Sequence, residues 1–65
     1  MTWQPARTLK RLRASRGLTQ AQLAAALDVH RVAIATWETG RYRPSMDVLP
    51  RLAKALGVTV LDLLK

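Results

Sequence analysis

The 65-residue chain has no cysteine, no phenylalanine, a single histidine and only four acidic residues. Without cysteine, neither a disulfide framework nor a thiolate metal site can support the fold. A chain this short lies near the lower size limit for a core held without such staples, so stability must come from packing. The acids, Asp28, Glu38, Asp47 and Asp62, are too far apart for any two to fall within four residues of each other. With one histidine besides, local spacing assembles neither a metal cluster nor a catalytic triad, and no glycine-rich loop cradles a phosphate. The chain is therefore not expected to be an enzyme, and no metal, cofactor or small-molecule ligand is expected. Long apolar runs are missing too. The longest, Leu23 to Leu27, is far too short to cross a bilayer, and no apolar signal core follows the N-terminal charges. The expected setting is the cytoplasm.

What the chain does have is positive charge. Eleven Lys and Arg against four acids leave a net charge of +7 and a pI of about 11.6. Such an excess concentrates polyanions near the surface, and nucleic acid is the commonest partner. Alanine and leucine are abundant and β-branched residues are scattered rather than alternating, a composition that favours an all-α domain.

The chain is organised around the stretch from Thr19 to Gly40, which reads as two short helices broken by a tight turn at Asp28-Val29. Thr19 caps the first, with Leu23, Ala24 and Leu27 on one face. His30 opens the second, Ile34 and Trp37 repeat at i+3, and Gly40 supplies the left-handed residue that ends it. Ala24, with only a methyl group, lets the two inner faces approach. This is a helix-turn-helix unit, whose second helix is suited to the DNA major groove.

Around it, short connections and apolar stripes predict a compact five-helix bundle occupying residues 1–65 as one domain. Residues 1–4 read as a flexible arm. Pro5 suits the first position of a helix that turns Leu9 and Leu12 inward and a basic face outward, and Gly17 and Leu18 close it. After the cationic loop Arg41-Tyr42-Arg43-Pro44, Ser45 is expected to cap a fourth helix with Asp47 in its first turn. Leu49, Leu52, Ala53 and Leu56 form its stripe, and Gly57 stops it. Pro50 conflicts with that start, because an interior proline costs on the order of 3 kcal/mol. The helix either bends there or begins later. Thr59 and Asp62 resemble a capping box for a last helix through Leu64.

These residues resemble a known family, the Cro and phage-repressor type of helix-turn-helix regulator. The resemblance runs from Leu9 to Leu64 and rests on an ordered set: Leu12-Arg13, Gly17-Leu18-Thr19-Gln20, Leu23-Ala24, Val29, Ile34, Trp37-Glu38, Gly40, Arg43-Pro44-Ser45, Leu52-Ala53, Leu56-Gly57-Val58 and Leu63-Leu64. It implies a λ-repressor-like fold and sequence-specific binding of double-stranded DNA as a transcriptional regulator, with repression the expected effect and the third helix in the groove. It also implies an ion pair between Arg13 and Glu38 that ties the first helix to the end of the third. Three positions depart from the family pattern. Asp28 stands where glycine is usual, His30 where serine or threonine begins the third helix, and Leu61 where an acid is frequent.

On a helix starting near His30, the side chains of Arg31, Val32, Ala35 and Thr36 share the face opposite Ile34 and Trp37. The corresponding family positions read bases. Arg31 can fork onto guanine O6 and N7, Val32 and Ala35 can meet a thymine methyl, and Thr36 can donate or accept. Phosphates are expected at Gln20, at the N-terminus of the second helix, and at Thr39, Arg41 and Arg43. The His30 ring can cap the helix, touch a phosphate or stack at the DNA edge. Trp37 reads as core, and Tyr42 is balanced between packing and a phosphate hydrogen bond. One recognition helix covers few base pairs, so a homodimer on a palindromic operator is expected, with half-sites about 34 Å apart. Its interface is placed on Leu61, Val60 and Trp3. Two other readings stand beside this one. In the first, an interaction module such as an antitoxin uses the same fold; in the second, the chain is the DNA-binding part of a longer regulator.

Overall fold

A computed structural model describes residues 3–65; Met1 and Thr2, the tip of the expected arm, lie outside the described residues. Five helices follow in order: α1 (Ala6–Ser15), α2 (Gln20–Leu27), α3 (Arg31–Thr39), α4 (Val48–Leu56) and α5 (Val60–Leu64). Each amphipathic stripe closes on one core of Leu9, Leu23, Ala24, Leu27, Ile34, Trp37, Leu49, Leu52, Ala53, Leu56 and Leu63. No polar residue belongs to that core, so its cohesion comes from apolar burial and close packing. Ala24 is buried between α2 and α3, where its small side chain permits their close crossing.

The helix ends explain the boundaries. Thr19 Oγ1 accepts from the Gln22 N–H at 3.0 Å while Gln22 Oε1 accepts from the Thr19 N–H at 2.8 Å, a complete capping box at the start of α2. Thr59 and Asp62 form the second box at α5. Asp28 ends α2 in the left-handed conformation, at φ 56°, with its own N–H on Ala25 O and that of Val29 on Ala24 O. Arg51 on α4 donates to Leu27 O at 2.5 Å, satisfying another carbonyl at the same helix end.

Three expectations need correction. The start of the chain is anchored from Trp3 onward. The Trp3 N–H donates to Gly40 O at 2.7 Å and Trp3 O accepts from Ala6 N, while the Trp3 side chain packs against the core. Pro5 is the residue before α1, one position earlier than expected, and its carbonyl accepts from Leu9 N. The fourth helix begins at Val48, not beside Ser45, and Ser45 makes no side-chain cap. Its carbonyl instead accepts from Val48 and Leu49, and Asp47 precedes the helix rather than entering its first turn. This removes the difficulty at Pro50. As the third residue of α4 it lies among the first four N–H positions, which have no intrahelical acceptor to lose.

Candidate nucleic-acid interface

Helix α3 is pinned by its buried side. Ile34 and Trp37 are 0% and 8% exposed, which fixes the rotation of the helix and turns Arg31, Val32, Ala35 and Thr36 to the opposite side. Arg31 is exposed and Val32 is 53% exposed, while Ala35 and Thr36 are partly so. The structure thus brings the four expected base-reading residues onto one accessible face. Thr36 Oγ1 donates to Val32 O at 2.7 Å. With its proton committed, the hydroxyl keeps only acceptor capacity for another group.

The entrance to this helix is capped by His30, whose Nδ1 accepts from the Val32 N–H at 3.4 Å. The ring therefore does part of the work that serine or threonine would do there, and Nε2 is not needed for the cap. At the exit, Gly40 adopts φ 80°, a conformation that disfavours any residue with a Cβ. Thr39 Oγ1 donates to Thr36 O and accepts from Arg41 N, so the hydroxyl expected at a phosphate also ties off the helix end. Arg41, Tyr42 and Arg43 follow in the exposed loop, with Tyr42 64% exposed and thus not packed. Arg43 Nη2 contacts Met46 Sδ at 3.4 Å.

Behind the face lies a chain of polar side chains. Arg13 donates through Nε to Glu38 Oε2 at 2.5 Å and through Nη2 to Glu38 Oε1 at 3.0 Å. A third donor, Nη1, reaches Leu18 O at 2.7 Å. The Glu38 and Arg13 side chains are only 4% and 14% exposed. The hydrogen bonds that Arg13 donates to Glu38 raise the guanidinium pKa above its already high ordinary value, against the opposing effect of burial. Gln20 Nε2 also donates to Glu38 Oε1 at 3.1 Å, and Gln20 Oε1 accepts from Arg31 Nη1 at 3.2 Å. The pair that joins α1 to α3 is thereby connected through Gln20 to Arg31.

Gln20 was expected at a phosphate, and the structure engages its side chain on two neighbours. Its backbone is better placed for an anion. The Thr19 cap occupies the Gln22 N–H and the Thr19 carbonyl takes that of Leu23, which leaves the N–H groups of Gln20 and Ala21 at the first turn of α2. The free backbone N–H groups expected at this helix start are thus those of Gln20 and Ala21. Of the residues expected at a dimer contact, Leu61 is 70% exposed, whereas Val60 and Trp3 are partly buried against the core. Trp3 lines an open groove with Pro5, Tyr42 and Leu64.

A family model described as helix-turn-helix matches residues 9–63. The HTH-type transcriptional activator BcrR of Enterococcus faecalis is 45% identical over 56 residues, covering 86% of this chain and 28% of that protein. The chain thus spans less than a third of that relative's length. An HTH-type transcriptional regulator of Methanocaldococcus jannaschii is 42% identical over 55 residues, 85% of this chain and 83% of its own. Among solved structures, the P22 c2 repressor in complex with a synthetic operator matches with a TM-score of 0.89 at 31% identity, covering 94% of this chain and 92% of that one. The restriction-modification controller protein C.AhdI from Aeromonas hydrophila matches with a TM-score of 0.87 at 28% identity, with the same coverage of 94% and 92%.

Proposed function

The chain belongs to the Cro and phage-repressor type of helix-turn-helix transcriptional regulators, and from that premise we propose that it binds duplex DNA sequence-specifically with α3 in the major groove. One observation carries this reading: Arg31, Val32, Ala35 and Thr36 share the face of α3 that the burial of Ile34 and Trp37 leaves open. Arg31 is suited to the O6 and N7 acceptors of a guanine, and Val32 and Ala35 to a thymine methyl. The N–H groups at the start of α2, the His30 ring, Thr39, Arg41 and Arg43 hold the flanking phosphates and set the register. The P22 c2 structure is of a repressor in complex with an operator, and repression is the regulatory effect proposed here too. The site of action is the nucleoid within the cytoplasm.

The protein acts on its operator as a homodimer, with Leu61, Val60 and Trp3 at the subunit contact. Two α3 helices then enter successive major grooves about 34 Å apart on a palindromic site. Selection of bound duplexes from a random pool tests both parts. The expected result is a two-fold symmetric consensus with that spacing, whose binding falls steeply with salt. Failure to enrich any sequence, with salt-independent or absent binding, overturns the reading and favours an interaction module.

A further inference from the structure

Much of the positive charge lies away from the recognition face. Arg31, Arg41 and Arg43 belong to that face or its edge. Arg13 is paired with Glu38, Lys65 with Asp62, and Arg51 caps α2. Arg7, Lys10 and Arg11 stand exposed at i, i+3 and i+4 on α1, on the side of the helix opposite buried Leu9. None of the ten residues of α1 is acidic. Among the described residues, no ion pair engages any of the three.

This arrangement works against the helix that bears it. Arg7 sits in the first turn, near the positive end of the helix dipole, and Pro5 supplies no side-chain cap to offset it. Like charges three and four residues apart repel. A merely solvated surface is better served by interspersed signs, so the stripe fits a polyanion that relieves the repulsion. Its direction narrows the choice. α1 and α3 pack against each other, each with its buried side toward the common core. Their outer faces therefore point in different directions from the shared core, which favours a duplex on the α1 stripe other than the one seated on α3.

We propose that the outer face of α1, through Arg7, Lys10 and Arg11, is a second DNA-backbone site that holds a duplex segment other than the one seated on α3. The proposal rests on the reading of α3 as a groove-binding helix. The second contact is sequence-independent, because cationic side chains on phosphate oxygens carry no base information. The protein then joins two stretches of DNA.

The test uses the full chain, an immobilised duplex and a second fluorescent duplex captured from solution at low salt. The variant is Arg7→Gln/Lys10→Gln/Arg11→Gln, with Arg7→Lys/Arg11→Lys as its charge-conserving counterpart; melting curves verify that both are folded. The wild type should capture the second duplex. The glutamine variant should lose capture about tenfold or more while its affinity for one duplex changes less than about twofold, and the lysine variant should retain capture. A wild type that binds one duplex but captures no second overturns this proposal alone. A wild type that binds no duplex overturns the reading of α3 as well. The proposal also fails if the glutamine variant lowers the single-duplex salt slope by about two to three, which would place the stripe on the same DNA. It fails equally if the stripe retains fluorescent polyglutamate in preference to DNA, which would indicate an acidic protein surface. Capture that survives the glutamine substitutions but disappears with Leu61→Lys would assign the bridging to dimerisation and overturn it too.

Discussion

At Gln20 a single amide accepts from Arg31 and donates to Glu38, so the guanidinium proposed to read a base has a preferred position before DNA arrives. Holding a long side chain in advance reduces the conformational entropy that binding must remove. Arg31 and Arg43 should then differ in kind. Arg31→Ala is expected to cost roughly 1–3 kcal/mol of binding and to relax preference at one base pair. Arg43→Ala should weaken all sequences alike and lower the salt slope by about one. Binding isotherms on single-base variants of the selected site, repeated across salt concentrations, separate the two, and identical behaviour would refute the division. Glu38 is a stability residue as well. Its side chain is 4% exposed, and Glu38→Ala leaves the Arg13 guanidinium with Leu18 O but without its counter-charge. Breaking a buried pair from one side costs on the order of 3 kcal/mol. Urea unfolding should show that loss in Glu38→Ala, and an apolar replacement of both partners should recover most of it.

At the scale of elements, the places where chain chemistry and backbone conformation disagree are few and specific. Asp28 is the one non-glycine residue with positive φ among those described. Asp28→Ala should destabilise by about 1 kcal/mol because a left-handed backbone crowds its Cβ. Asp28→Gly should be neutral or slightly stabilising, the relief of strain being offset by greater unfolded-state entropy. Thermal melts of the two variants decide it, and equal effects would remove the strain argument. Helix α5 depends on a different device. Asp62 is held below the usual carboxylate range, first by the Thr59 side chain and backbone and then by Lys65. Because the folded value is the depressed one, the stabilisation is present above the ordinary carboxylate pKa and is lost as pH falls through the depressed value. Amide protection in α5, relative to the intrinsic exchange rate at each pH, should therefore fall on acidification before that in α2, whose cap uses Thr19 and Gln22 and does not titrate in acid. Simultaneous loss of protection in both helices would contradict this.

The same elements show what could be read in advance. Thr19, Gly40, Gly57 and Thr59 mark helix ends through local hydrogen bonds and backbone freedom, and the stripe from Leu49 to Leu56 marks a face through its spacing. All are encoded within a few residues. The start of α4 was not legible, because Ser45 carries the side chain of a cap but contributes its carbonyl, and the proline conflict had two possible resolutions. The link from Gln20 to Arg31 and the reach of Arg51 to Leu27 span 11 and 24 residues. Such contacts depend on how helices cross, which local spacing does not specify. The anchoring of Trp3 is hidden from local spacing for the same reason, since its partner is the carbonyl of Gly40.

For the whole molecule, the balance between fold stability and assembly is set by how little a chain of this size can bury. Domains of about 65 residues carry roughly 3–10 kcal/mol of net stability, so exposing large apolar side chains without use is a liability. Leu61 and Leu64 are nevertheless 70% and 42% exposed on α5, on a chain whose net charge of +7 sets protomers against one another. A contact on that helix must bury enough apolar surface to overcome the repulsion, and DNA lowers the barrier by neutralising charge. Leu61→Lys adds a cation at the centre of the proposed contact while leaving the core residues untouched. Sedimentation should show the variant as a monomer where the wild type dimerises. Affinity for a palindromic duplex should fall at least tenfold, because the second recognition helix no longer gains from the binding of the first, while affinity for an isolated half-site stays unchanged. If the variant sediments and binds the palindrome as the wild type does, the subunit contact lies elsewhere; if it loses half-site binding as well, Leu61 supports the groove-facing helix rather than the assembly.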